Sequence, residues 1–195
     1  MAISLRTLKN EIARCEICIE HLPLGPRPVV QFSSKSRIAI VGQAPGTKVH
    51  ETGIPWDDPS GDHLREWLRV SREAFYDADS FALVPMGFCY PGKAKSGDAP
   101  PRPECATQWH ERVLGAIAPD PLLLLCGQYA QQQYLGSSRK KTLTQTVRAF
   151  TEYAPEVIPL PHPSWRSRIW MKKNPWFEAK LLPVLRREVK KRISG

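Results

Sequence analysis

One stretch constrains this chain more than any other: a short apolar run that stops on glycine, a polar loop, and then an amphipathic helix. Residues 38–68 read IAIVGQAPGTKVHETGIPWDDPSGDHLREWL. Ile38 to Val41 is long enough for one buried strand and too short for a helix. It breaks on Gly42-Gln43-Ala44-Pro45-Gly46, and the loop beyond holds Trp56, Asp57, Asp58 and Ser60. A helix is expected from Gly61 to about Val70, with Asp62 as its cap and Leu64, Trp67 and Leu68 on one face. Strands that end in glycine turns and feed helices wind into open parallel sheets, which place ligands at the carboxyl ends of the strands.

The rest of the chain repeats that alternation. Phe81–Met86, Pro121–Cys126 and Val157–Leu160 read as further strands. Helices are expected over residues 3–14, from Cys105 to about Ala118, over Gln128–Leu135, and from Pro175 to about Ile193, the last kinked or split at Pro183. Residues 90–104, rich in Pro, Gly and Lys, read as irregular, and 137–152 as a loop with an edge strand. The expected fold class is α/β: a three-layer α/β/α sandwich around a central, mainly parallel four-stranded sheet, in one domain over residues 1–195.

Composition narrows the function classes. With 42% hydrophobic residues in 195, global disorder is excluded. The longest apolar run, Leu122–Cys126, is far too short to span a bilayer, and the polar N-terminus does not resemble a signal peptide. A soluble, cytoplasmic monomer with no membrane partner is expected. The formal charge is +9, and residues 165–195 carry ten Lys and Arg against Glu178 and Glu188. Such asymmetry points to a polyanionic partner, nucleic acid above all.

Five cysteines are an odd number, which argues against a disulfide framework. Cys15 and Cys18 form a C-x2-C pair, and Cys89 and Cys105 bracket the proline-rich loop. Four thiolates brought together suit either tetrahedral zinc or a [4Fe-4S] cluster. Cys126 lies inside an apolar strand and reads as core.

Taken in order, GQAPG after a strand, GIPW-DDPSGD, the Cys-x15-Cys pair and the late His162-Pro163-Ser164 resemble the uracil-DNA glycosylase superfamily, nearest its iron-sulfur branches, families 4 and 5. The resemblance implies DNA as partner, excision of uracil or another deaminated base, and Cys15, Cys18, Cys89 and Cys105 as ligands of a [4Fe-4S] cluster, with zinc as the alternative. It implies that Gly42, Gln43, Ala44, Pro45 and Gly46 shape the base pocket and that Trp56 stands where a phenylalanine usually stacks on the base. It implies a catalytic Asp58, with Asp57 the alternative because the loop is one residue short, and a His162 that faces the base O2. Ser164, Trp165 and Arg166 would enter the duplex, and Arg168 and Lys172 would hold phosphates. Two departures stand out: Gln43 replaces a usual glutamate, and Val84–Phe88 lacks a usual base-binding asparagine.

These residue types suit cleavage of an N-glycosidic bond. A flipped base needs a pocket with a stacking surface. A neutral histidine can donate to the departing base as negative charge builds on it. A carboxylate can stabilise the cationic sugar and orient water. An amide such as Gln43 cannot act as a general base, but it can hold water or read a base edge.

Overall fold

The structure is a computed structural model that describes residues 4–194. Ser4 caps the first helix, α1 (Leu5–Ala13), through a hydrogen bond from Thr7 N to its hydroxyl. Ile3, the first residue of the expected helix, lies outside the described residues. There follow β1 (Ile38–Val41), α2 (Thr47–Thr52), α3 (Pro59–Leu68), α4 (Arg72–Phe75) and β2 (Phe81–Leu83). A small hairpin, β3 (Lys93–Ala94) and β4 (Gly97–Asp98), precedes α5 (Pro103–Leu114). The chain ends with β5 (Leu122–Cys126), α6 (Gln128–Leu135), α7 (Leu143–Arg148), β6 (Val157–Leu160), α8 (Trp165–Lys173) and α9 (Leu182–Ser194).

The main sheet has the order β2-β1-β5-β6, and every pairing in it is parallel. Its strands are short and buried on both faces, as a sheet covered by helices on either side requires. On one face Ile38, Ile40, Leu122, Leu124 and Cys126 pack with Leu64 and Trp67 of α3 and Leu185 of α9. On the other, Ala39, Ala82 and Val84 pack against Leu8 and Ile12 of α1 and Trp109 and Val113 of α5. Cys126 is 1% exposed, a core residue as its strand implied.

Several expectations are corrected. Residues 90–104 are not wholly irregular, because Lys93–Asp98 turns back on itself through Gly97 at φ 95°. The 137–152 stretch holds no edge strand; Thr142 and Gln145 form a capping box and start α7. Trp165–Lys173 is helical, which its charge-rich sequence did not announce. The irregularity expected at Pro183 is present: a π turn over Phe177–Leu181 precedes α9, where Pro183 has no N–H to give Ala179 four residues back. The cap of α3 is Asp58, whose Oδ1 accepts from Gly61 N at 2.8 Å, with Pro59 in the first turn. Asp62 instead pairs with Arg65 at 2.6 Å.

Candidate functional site

The carboxyl ends of β1 and β6 lie on either side of β5, and the loops that leave them meet over it. The sheet therefore brings GQAPG and His162-Pro163-Ser164 to one place, although about 120 residues separate them in the chain. Gly127 ends β5 at φ 90°, and a Cβ there would stand 3.4 Å from His162 Cβ, so the histidine rests against a residue without a side chain. The result is a cavity of about 420 Å³, within the range of small-ligand sites.

Gly42, Gln43, Ala44, Pro45, Gly46, Trp56, Asp58, His162, Ser164, Trp165 and Arg166 all line it. Arg168 and Lys172 do not; they are exposed on α8, whose first turn forms part of the rim. Asp57 stays outside as well. Its Oδ1 accepts from Arg72 at 2.9 Å, a bond that holds the carboxyl below its usual range. That placement separates the two neighbouring carboxylates: Asp58 is at the cavity and Asp57 is bound to α4.

Trp56 is clamped. Its φ of 59° is a conformation that bulky residues rarely adopt and that surrounding structure must enforce. Its indole lies on Gly42, where a Cβ would come within 2.6 Å of the ring. Its carbonyl lies on Gly61, where a Cβ would come within 1.8 Å. Arg65, buried under the loop, donates to the Trp56 carbonyl at 3.4 Å, and the Tyr76 hydroxyl donates to Pro55 O at 3.0 Å. The His162 ring stands 5.8 Å from the indole, tilted by 31°.

His162 keeps part of its surface open to the cavity, yet burial dominates and pushes its pKa down, against the opposing pull of Asp58 and Asp98. A neutral imidazole follows at neutral pH. The loop after it is braced from beneath by His63. Trp67 Nε1 donates to His63 Nε2 at 3.1 Å, which places the ring proton on Nδ1. That nitrogen faces Pro163 O at 3.3 Å and Ser167 Oγ at 3.2 Å, while Ser167 Oγ donates to Ser164 O at 2.6 Å.

Sequence reasoning missed His63 and Arg65, and it missed the hairpin residues Ser96 and Asp98 on the cavity wall. A signal existed for the α3 start, in Asp58-Pro59, but none in spacing or periodicity for Asp98.

The four cysteines come together elsewhere. Cys15, Cys18, Cys89 and Cys105 share one small cavity with Leu22, Phe88 and Trp109. Phe88 N donates to Cys105 Sγ at 3.2 Å and Trp109 Nε1 to Cys15 Sγ at 3.4 Å. Burial pushes Cys89 up to about 11 and Cys105 up to about 12. Among the described residues, no group of three or more His, Cys, Asp or Glu closes on a point as a single ion requires.

No helix among the described residues is long and apolar enough to cross a membrane. The family model of the Uracil DNA glycosylase superfamily matches residues 29–186, a span that contains the parallel sheet and the whole cavity. The chain belongs to the uracil-DNA glycosylase superfamily.

Proposed function

We propose that this chain is a monofunctional DNA glycosylase that takes a deaminated base, uracil first among them, into the cavity and hydrolyses its N-glycosidic bond. One observation carries the reading: the GQAPG loop, Trp56, Asp58 and His162 line a single cavity beside an exposed, basic helix. In this reading Trp56 offers the stacking surface, and its strained, clamped backbone fixes where the base lies. Neutral His162 donates to the departing base as negative charge collects on its oxygen. Asp58 stabilises the sugar cation and orients the attacking water. Its Oδ1 is committed to Gly61 N, and its other oxygen takes no hydrogen bond among the described residues. Gln43 holds the water or the base edge, since its amide can donate and accept but cannot take a proton. Trp165, 68% exposed at the rim, fills the gap left by the base, and Arg166, Arg168 and Lys172 meet the phosphates.

The four clustered thiols fit a metal centre. All donors are sulfur, two receive N–H hydrogen bonds, and most of the other lining residues are apolar. As free thiols Cys89 and Cys105 stay protonated at neutral pH, and a cationic centre is what would hold them as thiolates. A [4Fe-4S] cluster is the centre we favour for four thiolates, with one tetrahedral zinc as the alternative. Such a centre would tie the segment after α1 to the loop after β2 and the first turn of α5, a structural role.

The test is a panel of single- and double-stranded oligonucleotides carrying uracil, hypoxanthine or xanthine. Release of one of these bases, leaving an abasic site, is the expected result. Tight DNA binding without release of any base would favour a binding protein that keeps the fold, a reading motivated by Gln43.

A further inference from the structure

The residues after β2 offer the cavity no side chain that can read a base. Pro85 is the one that lines it, and the Pro85 carbonyl is occupied by His110 Nε2 at 3.0 Å. The β3–β4 hairpin reaches the same cavity from the loop between Cys89 and Cys105, and it brings Asp98. One contact fixes Asp98 within the hairpin, and one ties the hairpin to α8. Lys93 Nζ lies 2.9 Å from Asp98 Oδ1 across the hairpin, and Arg166 donates to Ser96 Oγ at 3.4 Å. Asp98 Oδ2 lies 3.3 Å from where a Cβ on Gly46 would be, so the carboxylate rests on the GQAPG loop itself. Its charge also reaches His162.

We propose that Asp98 accepts a hydrogen bond from the ring N–H of the base in the cavity and so selects uracil over cytosine and hypoxanthine over adenine, an inference that rests on the glycosylase reading. Uracil presents N3–H where cytosine has a lone pair; hypoxanthine presents N1–H where adenine has one. In these two pairs deamination turns an acceptor into a donor, and a carboxylate accepts without donating. Against cytosine or adenine, the Asp98 oxygen that Lys93 does not hold meets a lone pair, which is how a polar site rejects a close analogue. Gln43 cannot discriminate alone, because its amide offers either group. The hairpin thus supplies the selection that Pro85, after β2, does not.

The experiment compares the full-length protein with Asp98→Asn and Asp98→Ala by two readouts. One is single-turnover excision from oligonucleotides carrying uracil, hypoxanthine, xanthine, cytosine or adenine. The other is calorimetric binding of free uracil and free cytosine, which needs no catalysis. Asp98→Ala should weaken uracil binding and excision about 10- to 100-fold, as loss of a hydrogen bond to a charged group does. Asp98→Asn keeps the shape and adds a donor, so the uracil-to-cytosine ratio should fall by about tenfold or more. A hairpin-fastening role predicts an unchanged ratio in Asp98→Asn, and that result overturns the inference. If the wild type excises no base yet prefers free uracil through Asp98, the selection stands and the glycosylase reading fails. If excision is selective without regard to Asp98, the reverse holds. Failure of the wild type both to excise and to prefer uracil sinks both.

Discussion

Gly61→Ala is the sharpest perturbation the site offers. Gly61 is the third residue of α3, so in an ordinary helix the change to alanine would add about 0.5–1 kcal/mol of stability. Here the new Cβ would stand 1.8 Å from Trp56 O, 2.8 Å from Trp56 C and 2.9 Å from Trp56 Cβ. Contacts under 3.0 Å essentially never occur, so the backbone must part by at least 3.0 − 1.8 = 1.2 Å. Two things then move: the carbonyl of the positive-φ tryptophan, and Gly61 N, which caps onto Asp58. Overpacking of this kind costs about 1–3 kcal/mol, and a misplacement of about 1 Å at a reacting centre costs roughly 100-fold in rate. Thermal unfolding should show a melting temperature several degrees lower, and single-turnover excision should slow by about two orders of magnitude. Gly61→Ala with unchanged stability and rate would refute the clamp, because it would mean that the Trp56 loop gives way without consequence.

Four further outcomes follow from the same geometry. Asp58→Asn keeps a good helix cap but loses the charge, so excision should collapse with little change in stability, whereas Asp58→Ala should also lose about 1 kcal/mol of stability; full activity in Asp58→Asn would remove the carboxylate from the mechanism. Burial lowers the pKa of His63, His110 and His162, so the unfolded chain binds more protons below about pH 6.5; stability should be complete above that pH and fall by up to about 1.4 kcal/mol per pH unit for each histidine as the solution is acidified, and denaturant midpoints that stay level from about pH 7 to 5 would contradict this. Affinity for DNA should drop steeply with salt, and Lys172→Ala should weaken all sequences alike while reducing the salt slope by about one unit. Anaerobically purified protein should absorb at about 400 nm and lose that band in Cys89→Ser but keep it in Cys126→Ser; a colourless protein carrying stoichiometric zinc would decide for the alternative.

The parts of the fold that were legible in the sequence share one property: a continuous apolar run ended by glycine or proline. β1, β5 and β6 emerge within a residue of where the sequence places them, because burial on both faces leaves no polar alternation to mislead. α8 was not legible because it has no apolar stripe; it exposes Trp165 and Ile169 while burying only Ser167, so periodicity had nothing to detect. The capping box at Thr142 and Gln145 was present in the sequence and was outweighed by the basic, polar surroundings of α7. For the site, the two motif loops could be paired from the logic of parallel sheets alone. What spacing could not reveal was which carboxylate faces the cavity. Asp57 and Asp58 are neighbours, and only the partners Arg72 and Gly61 tell them apart. Asp98 comes from a hairpin of two-residue strands, too short to carry any pattern.

Trp165 makes the molecule its own optical probe. Of the six tryptophans, Trp67 and Trp109 are sealed in the core at 2% and 4% exposure, and Trp56, Trp170 and Trp176 are half-covered by their neighbours. Trp165 stands 68% open, with the Arg166 guanidinium 5.2 Å from its ring. A small collisional quencher in water therefore samples chiefly this one indole, and the adjacent cation draws an anionic quencher such as iodide towards it. Anything that seats on the rim of the cavity covers the indole and silences that quenching, so occupancy can be followed in unlabelled protein through this one residue, without waiting for a bond to break.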